Sequence, residues 1–185
     1  ISMPFDKRRS GFIMSEGSYV FVLEGHDYAV SRGARIYGEV SGYGSIFAGG
    51  RNSDIGKRVE KAGNAMKKCI DDAGISTDDI DLINANGNSG KLPDLIEAKA
   101  IKELFGKGSK ELPVHTVKSA LGESYGASGA MQTASALLSI NNGLVPPTIN
   151  YEEKDPECNL NIVNEKLEKE VNTVLINSFD LSGNN

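Results

Sequence analysis

Cysteine and histidine are scarce in this chain of 185 residues, which holds two of each: Cys69, Cys158, His26 and His115. Two cysteines build no disulfide framework, and without a C-x-x-C spacing they suggest no zinc site. They read as reduced thiols of a cytoplasmic protein. The two histidines stand far apart and lack metal-ligand spacing, so no metal and no other cofactor is expected. No apolar run approaches the roughly 18 residues of a membrane span. No secretory leader is visible, because Asp6, Lys7, Arg8, Arg9 and Glu16 charge the opening stretch. Basic charge is not in excess: the net charge is −5, which argues against nucleic acid, where a basic face is expected. Repeats, low-complexity tracts and an internal boundary are missing too, so residues 1–185 are expected to form a single domain. The chain opens Ile1-Ser2-Met3 and reads as a fragment of something larger.

What is present is an ordinary globular composition, 39% hydrophobic and 24% charged. Its organising stretch runs from Ile80 to Gly106. Ile80 to Ala85 is a short apolar run that reads as a buried strand. From Leu92 to Phe105, apolar residues recur at Leu92, Leu95, Ile96, Ala100, Ile101 and Leu104, a helical spacing. Between them lies a polar hinge, Asn84-Ala85-Asn86-Gly87-Asn88-Ser89-Gly90. A strand, a Gly-rich loop and a helix in that order form the usual site at the carboxyl end of an α/β sheet. The hinge offers asparagines and a serine but no histidine, and no carboxylate precedes Asp94.

The remaining segments supply more strands and helices. Tyr19 to Leu23 reads as a strand buried on both faces. Glu24 to Arg32 reads as a short helix closed by Gly33. Arg35 to Tyr43 alternates as a strand, and Gly38 and Gly42 within it suggest close backbone approach or a bulge. Asp54 is a suitable N-cap for an amphipathic helix from Ile55 to Ala73. That helix carries Lys57, Arg58, Lys61, Lys67 and Lys68 on its other face, to be solvated or docked by an acidic partner. Leu112 to Val117 is a third strand candidate. Ala127 to Ile140 is apolar nearly all round and reads as a buried helix. Val171 to Ser178 is the last strand. The outline is β-α-β-α-β-α-β-α-β, an α/β fold with helices packed on a mixed sheet.

Several short motifs resemble the β-ketoacyl-acyl carrier protein synthases, collinearly over essentially the whole chain. Pro4-Phe5-Asp6 with Gly11-Phe12 and Glu16-Gly17 is similar to that family's P-F-D…D-G-F…G-E-G segment. Arg32-Gly33-Ala34, Gly42-Tyr43-Gly44, Ile83-Asn84-Ala85, Glu97-Ala98-Lys99-Ala100-Ile101 and Lys118-Ser119 continue the likeness. So do Pro146 through Tyr151, Asp155-Pro156-Glu157-Cys158 and Asn177-Ser178-Phe179. The resemblance implies a thiolase-like fold, an α-β-α-β-α layered arrangement of two halves, of which this chain resembles the carboxyl-terminal half with a mixed five-stranded sheet. The family's nucleophilic cysteine lies in the amino half, and nothing here matches it.

The family chemistry needs two imidazoles to drive decarboxylation of a malonyl donor, polarising the thioester carbonyl and stabilising the enolate. The resemblance places the first imidazole at Asn86 and the second at Glu123, so both are replaced. Asn86 can still donate a hydrogen bond. An ionised Glu123 puts negative charge where an oxyanion needs a donor. His115 falls in the strand before Lys118 and reads as packed or exposed rather than as a substitute base. Lys118 and Glu97 match the family lysine and glutamate, and both fit a buried ion pair or hydrogen-bond network equally well. Asn88 and Ser89 are supporting candidates of the hinge. The acyl-pocket gate is expected at Phe179 and Leu181, with Leu181 in the place of the family's second phenylalanine.

Three functions follow as expectations. The first is a catalytically impaired ketosynthase-like subunit of a fatty-acid or polyketide synthase system, resembling a chain length factor. The second is an active 3-oxoacyl-acyl carrier protein synthase, an acyltransferase of the decarboxylative Claisen type, with an altered site. The third is a non-catalytic acyl or carrier-protein binding module. The expected partners are a complementary amino-terminal half or ketosynthase subunit and an acyl carrier protein, in a homo- or hetero-dimer, without nucleic acid or membrane.

Overall fold

The computed structural model describes residues 1–49 and 54–179. Its first helix, α1 (His26–Ser31), is short and ends at Gly33, whose φ of +69° suits glycine. The second, α2 (Ile55–Asp72), begins where the Asp54 carboxylate accepts from the Lys57 amide at 3.2 Å. Of the apolar stripe its spacing predicts, Ile55, Val59, Ala62, Met66, Cys69 and Ile70, it buries Val59, Ala62, Met66 and Ile70, half-buries Cys69 and leaves Ile55 exposed. Strand β1 (Leu82–Asn84) follows, then α3 (Lys91–Phe105), β2 (Pro113–His115), the single turn α4 (Lys118–Leu121) and α5 (Ser128–Asn142). Four short strands complete the order: β3 (Leu144–Val145), β4 (Asn161–Ile162), β5 (Leu167–Glu168) and β6 (Val174–Ile176).

The sheet runs β4-β2-β1-β6, all parallel, with Ile83 opposite Val114 and Leu175. Every residue of β1 and β2 is buried, as expected of a parallel sheet covered on both faces. Alternation then divides the core. Ile83, Val114 and Leu175 point to one face, among Val59, Met66, Ile96 and Ile101 of α2 and α3. Leu82 points to the other, with Val145, Val163 and Val171, and half-buried Ile140, Leu167 and Val174 pack against that group. The carboxyl ends of β1, β2 and β6 therefore open side by side at one edge of the sheet.

Several expectations require correction. The main sheet has four parallel strands among the described residues, not five mixed ones. An antiparallel pair, β3 with β5, stands apart from it. Tyr19–Leu23 and Arg35–Tyr43 form no ladder. A strand needs a neighbour to accept its backbone groups, and the described residues offer neither segment an edge. Val20 and Val22 are consequently 90% and 80% exposed rather than buried on both faces. The close approach expected at Gly42 is present: a Cβ there would lie 2.4 Å from the Cys69 carbonyl oxygen of α2. Helix α5 is not buried all round. It turns Ser128, Met131, Gln132, Ser135, Ala136 and Ser139 inward and leaves Leu138 exposed. The expected helix over Leu92–Phe105 forms and begins one residue earlier, at Lys91, and the strands over Ile80–Ala85, Leu112–Val117 and Val171–Ser178 form, each trimmed at its ends.

Candidate functional site

The hinge after β1 is held from beneath by Glu97 of α3. Its carboxylate accepts from the Asn86 amide at 2.8 Å and the Gly87 amide at 2.9 Å. It also accepts from the Asn177 side-chain amide at 2.9 Å, which ties the end of β6 to the end of β1. Glu97 is fully buried. Burial raises its pKa, while the bonds from Gly87, Asn177 and Asn86 hold it down. Gly87 is required where it stands. A Cβ there would lie 2.8 Å from Thr116 Cγ2 and 2.9 Å from Phe5 Cε2, at a φ of +32°.

With the hinge fixed, Asn86 faces Lys118. Lys118 Nζ donates to Asn86 Oδ1 at 2.8 Å and to Glu123 Oε2 at 2.9 Å. The other Glu123 oxygen accepts from the Tyr125 amide at 3.0 Å and from the Ser128 hydroxyl. Lys118 is 1% exposed and Glu123 7%. The Glu123 backbone is pinned as well: its amide donates to the Ile13 carbonyl and its carbonyl accepts from the Ser15 amide. The Phe179 amide reaches Asn86 Oδ1 at 3.3 Å. Three strand ends thus converge. β1 supplies Asn86, β2 leads into Lys118, and β6 leads into Phe179. This is where a ligand site lies in an open parallel sheet.

The structure brings Asn86, Glu123, Lys118, Glu97 and Phe179 together. Asn88 and Ser89 serve the loop instead. Asn88 Oδ1 accepts from the Gly90 amide at 3.0 Å, and Ser89 Oγ accepts from the Met3 amide at 2.8 Å. Leu181 lies outside the described residues. His115 is packed: it is fully buried, neither ring nitrogen has a partner among the described residues, and burial lowers its pKa to about 4. Among those residues no group of three or more His, Cys, Asp or Glu is arranged to hold a metal ion.

Two residues of this neighbourhood carry no sequence signal as polar groups. Gln132 sits in a helix that reads as apolar, yet its Nε2 donates to the carbonyls of Asn84 at 3.2 Å, Ala85 at 3.0 Å and Asn177 at 2.9 Å. It joins the ends of β1 and β6 from the face opposite Glu97. Asp94 anchors the amino-terminal segment by accepting from the Phe5 amide at 2.8 Å. It is wholly buried, with its pKa raised by burial to about 7.

Chemically, the arrangement is an ion pair in a polar cage. The one cation at its centre, Lys118, is matched by the Glu123 carboxylate. Among the described residues nothing accepts from the Asn86 amide nitrogen, and the ammonium keeps one hydrogen beyond the two it gives to Asn86 and Glu123.

Residues 37–152 match the family model described as the beta-ketoacyl synthase C-terminal domain. The chain is 39% identical, over 185 residues, to the 3-oxoacyl-[acyl-carrier-protein] synthase 2 of Coxiella burnetii. That alignment takes in all of this chain and 45% of the relative, so the chain spans about half the length of the curated relatives it matches. Among solved structures, the ishigamide ketosynthase/chain length factor is 37% identical with a TM-score of 0.89, over 100% of this chain and 45% of that one. A type II polyketide synthase acyl-carrier protein in complex with its ketosynthase bound to the hexaketide gives 31% identity. Its TM-score is 0.93, over 99% of this chain and 45% of that one.

Proposed function

The chain belongs to the beta-ketoacyl synthase family, as its carboxyl-terminal domain, and on that premise we propose that it acts as a catalytically impaired ketosynthase-like subunit or fragment. In this reading it shapes and supports acyl-chain elongation in a fatty-acid or polyketide synthase system, in the manner of a chain length factor. One observation carries the reading. The two positions where the family resemblance expects imidazoles hold Asn86 and Glu123, and both are bonded to Lys118. Decarboxylation of a malonyl thioester develops an enolate, which needs donors or positive charge aimed at its oxygen. Here the positive charge is already neutralised, and a carboxylate faces the place where the oxyanion forms.

Its partners in this proposal are a complementary amino-terminal half or ketosynthase subunit, in a homo- or hetero-dimer, and an acyl carrier protein. The exposed apolar side chains of Val20, Val22, Leu23, Tyr37 and Val40 support the first partner. They lie on two extended segments without ladder partners, and a surface of this kind is normally covered. Residues 1–9 are tied to α3 and to residues 152–155, by Phe5 to Asp94 and by Asp6 to the amides of Glu152 and Glu153. That supports residues 1–185 acting as one unit. No helix among the described residues is long and apolar enough to cross a membrane.

A second reading has one observation in its favour: the 39% identity to a protein named 3-oxoacyl-[acyl-carrier-protein] synthase 2. It makes this chain part of an active decarboxylative acyltransferase with an altered site. Malonyl-carrier decarboxylation, measured with and without a candidate ketosynthase partner, separates the two. The impaired reading expects no turnover above the partner's own rate. Robust turnover that depends on this chain's Asn86 and Lys118 overturns it.

A further inference from the structure

Five non-glycine residues among those described have a positive φ, and three of them meet at one junction: Phe5 (+61°), Ser89 (+69°) and Asn150 (+64°). Asparagine tolerates this backbone, but for a bulky aromatic it is an outlier. Such residues persist only where their surroundings hold them, and they gather in clamps and switches. Here the holding contacts join residues 2–11 to the hinge after β1. The Phe5 amide donates to Asp94 Oδ2 at 2.8 Å, and the Met3 amide to Ser89 Oγ at 2.8 Å. The Gly11 amide donates to the Ser89 carbonyl at 2.9 Å, and Asn150 Nδ2 to the Ser2 carbonyl at 2.9 Å. Residues 6–9 are held elsewhere, by charged groups. Asp6 Oδ2 accepts from the Glu152 and Glu153 amides, and Arg9 donates to Asp155 and to the Lys91 carbonyl. The fully buried Phe5 ring reaches the hinge itself: a Cβ on Gly87 would lie 2.9 Å from its Cε2.

We propose that residues 2–5 are the movable arm of a conformational latch. Bound, the arm wedges Phe5 against the hinge so that Asn86 meets Lys118; released, arm and hinge relax together and that contact is lost. Strain favours release, because Phe5 and Ser89 regain ordinary backbone when the arm leaves. The amide bonds and the burial of the ring favour closure. Only neutral donors and one carboxylate hold the arm, whereas the ionic contacts fasten residues 6–9, so the arm opens alone and pivots at Asp6. The hinge follows because the Phe5 ring and the Thr116 methyl are the two walls against Gly87. With one wall withdrawn, the φ of +32° at Gly87 is no longer imposed, and Asn86 is its direct neighbour. Phe5 is therefore a positioning residue that acts on Asn86 through Gly87. The latch governs the shape of the hinge, and it holds whether the site is impaired in decarboxylation or active.

The test is native-state hydrogen exchange on the full-length protein, read amide by amide. The amides of Met3 and Phe5 should open together with those of Asn86 and Gly87, while the Ala85 amide, bonded to the His115 carbonyl, stays protected. Ser89→Ala removes one catch and should raise the opening of all four about tenfold, leaving Ala85 unchanged. Ser89→Gly lacks the same hydroxyl but takes a positive φ freely, and should open about fivefold less often than Ser89→Ala. Phe5→Leu removes the wedge, and the 15N resonance of the Lys118 ammonium should move as its bond to Asn86 is lost. A residue that only fills the core would leave that resonance in place. If Ser89→Ala loosens Met3 and Phe5 but not Asn86 and Gly87, the arm does not control the hinge and the proposal falls. It falls likewise if Ala85 accelerates with the other four, since the opening is then global. Equal opening of Ser89→Ala and Ser89→Gly removes the strain from the latch, and an unmoved Lys118 resonance in Phe5→Leu overturns the wedge.

Discussion

Lys118 Nζ lies 2.9 Å from Glu123 Oε2, and both side chains are almost wholly removed from solvent. Taking two charges out of water costs several kcal/mol per ion, returned only when the pair is close and its remaining groups are bonded. Here they are, through Asn86, Tyr125 and Ser128. Breaking the pair from one side strands a charge. Glu123→Ala is expected to lower unfolding stability by about 3–5 kcal/mol, read by urea denaturation. The double variant Lys118→Met with Glu123→Leu removes both charges and should lie much nearer to the wild type. If the double variant is as unstable as the single one, the cost is not that of a stranded charge.

Glu97 acts on the other side of Asn86. Both its oxygens are used, one by Gly87 and one shared between Asn86 and Asn177. Glu97→Gln keeps the volume but turns an NH2 group towards one of the donors. The expected loss is about 1–3 kcal/mol, the cost of an unmet buried group. The amides of Asn86 and Gly87 should exchange with deuterium faster than the rest of the sheet. Uniform acceleration across β1, β2 and β6 would show that Glu97 supports the fold as a whole and not the hinge.

The strand-hinge-helix over Ile80–Gly106 was legible because its apolar spacing changes period where the polar run begins. The stripe of α2 and its Asp54 cap were legible for the same kind of reason: each is a local pattern. Tyr19–Leu23 misleads because a β-branched run reports preference for a ladder but not the presence of a neighbour. Helix α5 misleads because serine and glutamine among alanines look like filler, while Gln132 in fact spans three carbonyls. The Lys118–Glu123 pair was half legible. The resemblance singled out both positions separately, and only the turn at Gly122, with a φ of +81°, brings the glutamate back onto the lysine.

Two buried groups should make stability depend on pH in opposite senses. Burial depresses His115 from its reference value of 6.5 to about 4, so its contribution is present above 6.5 and lost as pH falls through about 4. Burial raises Asp94 from 3.8 to about 7. Its contribution is full below 3.8 and lost as pH rises through about 7. Between pH 4 and 6.5 the two act in opposite senses. His115→Leu should become more stable as pH falls from 7 to 4, and Asp94→Asn less stable, each by on the order of 3 kcal/mol across the window. Thermal melts over that range read both slopes. Parallel profiles for the two variants would remove the assignment.

Gly87 couples this network to the amino-terminal segment. Its missing Cβ leaves room for Phe5, which is fully buried, and for the Thr116 methyl, which directly precedes the turn into Lys118. A methyl added at Gly87 must push one of them, and both are held. The Phe5 amide is bonded to Asp94, and Thr116 Oγ1 accepts from the Lys118 amide at 3.3 Å. Overpacking of this kind costs about 1–3 kcal/mol. Because Thr116 moves with Lys118, Gly87→Ala should also disturb the Asn86–Lys118 contact, visible as a changed 15N shift of the Lys118 ammonium. Thr116→Ser deletes the crowded methyl and keeps the hydroxyl that accepts from Lys118. The pair Gly87→Ala with Thr116→Ser should therefore regain the part of the stability lost to the Thr116 contact, together with the wild-type ammonium shift. Stability that is not regained would place the strain on Phe5 and the positive φ of residue 87. It would then travel to Asp94 and the amino-terminal segment, leaving the lysine where it is.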